Sequence, residues 1–270
     1  MCPTPMLSAR SVILAATLLG GLITSPVSQA ALQDEVQVYD DSINEVGEFG
    51  VELHINTTPS GSATPNYPGE VVSLHGWRLT PEFSWGWTRT VELGLYVPTV
   101  MDAQGSYQFA GLKGRIKWLP IQADTALGGW FAGVNFELAH VKPEYDQAKY
   151  TTETKLIGGY RGPHSLISTN LNIGTEVEGP NAGQRPEMSF SIKATRALKN
   201  HPAFSPGVEL YTDLGRVGQA VVDRDQDRRL FLTLDVERKP WEFSFGIGRG
   251  LTPVADTWTL KMITEIPFSL

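Results

Sequence analysis

From Glu48 to the C-terminus, apolar residues recur at every second position, and the parity that carries them holds no charge. Successive side chains of a β-strand point to opposite faces, so this period predicts strands with one apolar and one polar face. Residues 256–270 state the pattern most fully. Trp258, Leu260, Met262, Thr264, Ile266, Phe268 and Leu270 share one parity, while Lys261 and Glu265 fall on the other. Earlier segments repeat it: Phe49, Val51, Leu53 and Ile55 in the first, Leu112, Gly114, Ile116 and Trp118 in the fourth, Trp241, Phe243, Phe245 and Ile247 in the eleventh. Pro81 weakens the second, because proline removes a ladder hydrogen bond. The sum is about twelve strands of about ten residues, which suits an all-β fold, a transmembrane antiparallel up-and-down β-barrel.

The last strand begins with Trp258, places Phe268 near its end and closes the chain. In that position it resembles the C-terminal signal strand of bacterial outer-membrane β-barrels, with Ser269 and Leu270 as a departure after the aromatic residue. The resemblance implies two partners, outer-membrane lipid around the wall and the barrel-assembly machinery at the terminal strand. Residues 48–270 as a whole are similar in strand pattern to outer-membrane transporters of aromatic (phenol) degradation pathways. That likeness implies passage of small molecules across the outer membrane of a Gram-negative bacterium, with no named substrate.

The N-terminus fits export. Arg10 precedes an apolar run from Val12 to Ile23, followed by Pro26 and the small-x-small site Ser28-Gln29-Ala30. This reads as a secretory signal peptide, residues 1–30, cut after Ala30. Cys2, the only cysteine, would leave with it, so no disulfide or thiolate metal site is expected. Loss of Arg10 leaves a mature net charge of about −8, a poor balance for binding nucleic acid. No later stretch is apolar for the roughly twenty residues of a membrane helix. A membrane form must therefore be a closed barrel, since only closure pairs every backbone polar group in lipid. Residues 31–47 are acidic (Asp34, Glu35, Asp40, Asp41, Glu45) and lack a period. They read as a periplasmic tail, or as a plug folded into the barrel mouth.

With the N-terminus in the periplasm, odd connections are extracellular and should be long. Residues 57–70, 179–186 and 215–227 fit, and the turns 161–164 and 238–240 on the other side are short; the inner turns 119–126 and 198–204 are longer than expected. An aromatic girdle is expected at the periplasmic interface from Trp85, Trp118, Trp130, Tyr160, Trp241 and Phe268, with Trp77 and Trp258 at the other. The rival fold is a soluble β-sandwich, whose apolar parity would be core. It has no reason to sort aromatic residues by strand end.

The inward parity is charged. Lys113, Arg115 and Lys117 follow one another on the fourth strand, while Glu209, Asp213, Asp235, Glu237 and Glu242 lie on the ninth to eleventh. In a barrel of this count the tenth strand faces the fourth, so a basic wall is expected opposite an acidic one. Strands about 4.8 Å apart and tilted by about 40° enclose roughly 24 Å of backbone, leaving about 10 Å between side chains. Two readings stay open: a narrow pore with a transverse field for small polar solutes, or a lumen crossed and filled by salt bridges.

Other signals are weaker. Asp223-x-Asp225-x-Asp227 opens like a calcium loop, but Arg228 replaces the sharp-turn glycine and Leu234 the closing glutamate, so a solvated loop is expected. Ser73 with His75, and Ser106 with His140, could act as nucleophile and base of a lipid hydrolase at the outer rim. Neither pair sits in a hydrolase motif, and no enzyme activity is expected. His54 faces inward as a hydrogen-bonded filler or pore residue, while His164 and His201 lie in turns. No Gly-rich phosphate loop is present, so no cofactor is expected.

Overall fold

A computed structural model describes residues 34–124, 127–220 and 223–267. Twelve antiparallel strands close into one barrel. In chain order they are Phe49–Ser60, Trp77–Gly86, a third in two pieces (Val91–Tyr96 and Thr99–Met101), a fourth in two pieces (Tyr107–Phe109 and Gly111–Ile121), Gly129–Val141, Tyr150–Gly162, Ser165–Glu178, Glu187–Arg196, Phe204–Arg216, Arg228–Arg238, Trp241–Gly250 and Trp258–Glu265. Each pairs with the next, and the twelfth closes on the first through a register running from Glu52 opposite Glu265 to Thr57 opposite Leu260. A two-residue strand, Gln219–Ala220, folds back on the end of the ninth, and a 3-10 turn, Asp223–Asp225, leads into the tenth.

The breaks in the third and fourth strands have one cause. Pro98 carries no N–H, so the ladder is interrupted there. Between the pairs Tyr96 opposite Lys113 and Thr99 opposite Phe109, the fourth strand holds one residue more than the third. That is a β-bulge, which bends the wall. Pro81 is accommodated within the second strand, and its carbonyl accepts the Val97 N–H at 2.9 Å.

The distribution of polarity excludes the sandwich. Leu112, Ile116, Leu138, Ile167 and Leu232 stand exposed on the outer face, Leu232 at 61%. The most fully buried side chains include His54, Glu209, Asn135, Asn170, Thr80 and Ser168. A water-soluble fold buries its apolar side chains; this one exposes a continuous apolar band and encloses its polar residues, as a barrel in lipid must. No helix among the described residues is long and apolar enough to cross a membrane, and the crossing elements are the strands.

Trp85, Trp118, Trp130, Tyr160 and Trp241 all lie near the barrel end that holds the start of the first strand, called here the near mouth. Trp130 packs edge-on against Tyr160 at 5.3 Å between rings, and Trp85 stacks on Phe49 at 5.9 Å. Trp77 and Trp258 lie at the far mouth. Phe268, Cys2 and the 1–30 stretch lie outside the described residues.

Of residues 34–47, read from sequence as a periplasmic tail or a plug, the N-terminal part runs inside the wall, while Glu45, Val46 and Gly47 are exposed at the near mouth. Asp34, Val36, Val38 and Tyr39 are all buried. The segment enters at the near mouth and carries its N-terminal end toward the far one. No period marks it because it forms no strand; its polar atoms are matched singly by wall side chains.

Candidate functional site

The site is the lumen, built by the inward parity of the strands and by residues 34–47. At the near mouth Arg161 of the sixth strand grips Asp41, Nε to Oδ1 at 2.8 Å and Nη2 to Oδ1 at 2.6 Å, and reaches Asp40 at 3.3 Å. A charge-assisted fork of this kind fixes direction as well as position. Lys117 donates to the Ser42 carbonyl at 2.5 Å, and the Asn44 N–H donates to Glu92 at 2.7 Å. The segment then passes over the end of the second strand, where Gly86 is required: a Cβ there would stand 2.0 Å from the Glu45 carbonyl oxygen.

Deeper in, Tyr39 is the fulcrum. Asn170 of the seventh strand accepts its N–H at 2.7 Å and donates to its carbonyl at 2.9 Å, while Ser168 donates to the same carbonyl at 2.5 Å. A backbone with no strand neighbour thus has both polar groups satisfied by side chains, as a buried backbone requires. The Tyr39 hydroxyl meets that of Tyr96, and its ring lies under the Lys155 ammonium at 3.8 Å. Phe131, Ile157 and Leu166 pack against the ring. Beyond it, Asp34 pairs with Lys113 at 3.0 Å, and Glu35 lies between Lys113 (3.5 Å) and Lys155 (3.8 Å).

Two charge networks line the wall. The first spans the second to sixth strands: Arg115 joins Glu82 (2.5 Å) and Glu92 (2.7 Å), and Glu137 lies between Lys113 (3.5 Å) and Lys155 (3.7 Å). Gly94 makes room for Arg115, since a Cβ there would fall 2.6 Å from its side chain. The second spans the eighth to twelfth strands: Lys193 joins Asp235 (2.9 Å) and Glu209 (3.7 Å), and Lys261 pairs with Glu209. Lys261 also donates to the Val36 carbonyl at 2.8 Å.

The charges of the expected basic and acidic walls are thus taken up by nearby partners of opposite sign. Lys113 and Arg115 are neutralised by glutamates on adjacent strands and by the 34–35 carboxylates, and Glu209 and Asp235 by lysines beside them. Asp213 lies near the far mouth with Asp227, which Arg229 holds at 2.8 Å. Glu237 and Glu242 lie at the near mouth, where Lys239 reaches Glu242 at 3.8 Å. Sequence reasoning passed over Glu82, Glu92, Glu137, Lys155, Lys193 and Lys261. Their signal was present: each lies on the inward parity, and Lys193 stands directly opposite Glu209 in register.

Space remains on either side of the internal segment. A cavity of about 820 Å³ opens toward the near mouth, and one of about 260 Å³ lies toward the far mouth. Gln37 lines both. Around the near cavity five glutamates fall in one lateral row across five adjacent strands, Glu237 opposite Glu242, Glu242 opposite Glu265, Glu265 opposite Glu52, and Glu52 opposite Glu82. Like charges directly opposite one another are destabilising in a sheet, so this row works against the fold.

At the outer rim, Ser73 and His75 make no hydrogen bond to each other, nor do Ser106 and His140. The Ser73 carbonyl accepts the Gly76 N–H at 3.0 Å, and His140 tilts against Tyr150 at 4.8 Å. Asp225 is half-buried at the end of its turn, 3.7 Å from the Arg224 guanidinium, and Asp227 faces the lumen instead of converging on it.

No protein-family model matches the sequence, and no curated protein matches it. Solved structures match its fold. The chain is similar to the KdgM porin, at 9% identity and a TM-score of 0.55 over 82% of this chain and 99% of that one. It is similar to the same porin in complex with disordered oligogalacturonate, at 8% identity and 0.52 over 82% and 99%. It is also similar to the COG4313 outer membrane channel from Pseudomonas putida F1, at 13% identity and 0.53 over 87% and 100%. At these identities the likeness is one of fold: the chain has the closed barrel of bacterial outer-membrane channels.

Proposed function

We propose that this chain, freed of residues 1–30, is an outer-membrane channel for small polar solutes whose conductance is set by residues 34–47 acting as an internal plug. The observation that carries this is the inverted polarity of the barrel, an apolar exterior around a charged lumen with an 820 Å³ cavity on one side of the plug. The structural neighbours are named as porins and a channel, which supports passage as the general activity. The narrower likeness to transporters of aromatic degradation pathways rests on strand pattern, and the dense lumenal charge favours polar solutes over bare aromatic rings. The near mouth is then the periplasmic one, and the girdle tryptophans around it sit at headgroup depth. Lys113, Arg115, Lys117, Glu209, Asp235, Glu237 and Glu242 are the residues that set selectivity once the plug moves, with Asp213 at the far exit.

Single-channel conductance in a planar bilayer tests this. The 31–270 chain is expected to carry a small current and the same chain lacking residues 34–47 a several-fold larger one, with added anion preference because Lys113, Lys117, Lys155 and Arg161 lose the partners that this segment supplies. A deleted barrel that inserts and carries no more current than the intact one would overturn the plug. A second reading, a closed barrel whose outer loops bind a partner, is favoured by the filled lumen, and it predicts no current from either form.

A further inference from the structure

The geometry points to a divalent transition-metal site inside the barrel wall, formed by Glu52 and His54 of the first strand and Glu82 of the second, opening on the near cavity. It is independent of solute passage.

Glu52 and His54 are two residues apart, so both project inward, and Glu82 stands directly opposite Glu52 in register. The His54 Nε2 lies 3.1 Å from Glu82 Oε2 and 3.7 Å from Glu52 Oε2, and one donor atom from each residue falls within 4.8 Å of the others. Zinc takes nitrogen and oxygen ligands at about 2.0–2.2 Å in a tetrahedron, which sets neighbouring donors roughly 3.3–3.6 Å apart. The two separations from His54 bracket that value, and a modest closing of the three donors would complete the set around an ion, with water as the remaining ligand. Glu82 is already oriented: Arg115 holds its Oε1 at 2.5 Å and leaves Oε2 facing His54.

Charge supplies the second argument. Three carboxylates stand together here: Glu82 and Glu92 share the Arg115 guanidinium, and Glu52 lies against His54. With a neutral imidazole, and with the nearby Lys117 counted beside Arg115, the three carboxylates keep a surplus of one negative charge, and His54 is 1% exposed and Glu82 3%. Buried charge of one sign is costly without a partner. Either a proton on His54 or a divalent cation offsets that surplus, and the cation also draws the three donors together. Glu52 also stands in the lateral row of five glutamates, so a cation reaching the near cavity is drawn toward the site.

Equilibrium dialysis of tag-free, detergent-refolded 31–270 protein against zinc, with metal counted per chain, tests the assignment. One zinc per barrel is expected at micromolar free metal. His54→Asn should abolish it, Glu52→Gln should weaken it by roughly ten-fold or more, and Glu265→Gln, in the same row but outside the cluster, should leave it within about two-fold. Wild type that binds no zinc, or zinc that binds His54→Asn as well as wild type, overturns the site. If His54→Asn does not refold, Glu52→Gln decides: Glu52 is half-exposed and its removal leaves Arg115 and Glu82 paired, so unchanged affinity in that variant also overturns it. Conductance plays no part in the readout, so a silent barrel that binds zinc refutes the channel and leaves the metal site standing.

Discussion

The two charge networks of the lumen differ in what they need. The one on the eighth to twelfth strands is largely self-contained: Lys193 and Lys261 share Glu209, Lys193 also holds Asp235, and among the described residues its one direct hydrogen bond to the internal segment runs from Lys261 to the Val36 carbonyl. The one on the second to sixth strands is completed from outside the wall, because Lys113 and Lys155 take Asp34 and Glu35 as partners and Lys117 takes the Ser42 carbonyl. The first is redundant at its anion, with two cations on Glu209. The second is exposed at its cation, with two glutamates on Arg115. A plug is thus fastened by charge to one wall and merely abuts the other, so its release is a matter of loosening one side.

That asymmetry is open to direct attack. The largest effect is expected from Arg115→Met, which strands both Glu82 and Glu92 in the wall. Leaving a buried charge unpaired costs about 3–5 kcal/mol, and the urea midpoint of the refolded barrel should fall accordingly. Lys193→Met should lower the same midpoint by less, since Lys261 still holds Glu209. Equal losses from the two variants would erase the distinction between the networks.

A smaller effect is expected from Asp146, which belongs to neither network. It lies buried in the loop after the fifth strand, accepts the Ala148 N–H at 2.9 Å, and has no cationic partner among the described residues. Burial pushes its carboxyl up to about 6, above the roughly 3.9 of an unfolded aspartate. A raised value means that the folded state holds its proton more tightly. The contribution is therefore full below about pH 4 and is lost as the pH climbs through 6. Asp146→Asn should stabilise the barrel at pH 8 and leave it unchanged at pH 4 in thermal melts; a gain of equal size at both would remove titration as the cause.

The wall was legible in the sequence because lipid enforces it. Each outward residue must be apolar, so Leu112, Ile116 and Leu232 announce their face at once, and the aromatic residues sort by strand end. The lumen was legible in kind but not in pairing. Lys113, Arg115 and Lys117 catch the eye as a run, whereas Glu82, Glu92 and Glu137 are scattered one to a strand, and only register brings them beside the lysines and the arginine. The path of residues 34–47 left no pattern. A segment held by single side chains such as Asn170 and Arg161 has no repeat that a sequence can display.

The seam of the barrel joins Glu52 of the first strand to Glu265 of the twelfth, residues far apart in the sequence. Contacts of such wide separation in sequence form late, because the intervening loop must be ordered first. The twelfth strand brings Lys261 with it, and that side chain reaches the Val36 carbonyl. Zipping the seam therefore closes the wall and helps seat the internal segment in one event. A barrel that sealed with residues 34–47 still outside would have to thread them through a finished mouth.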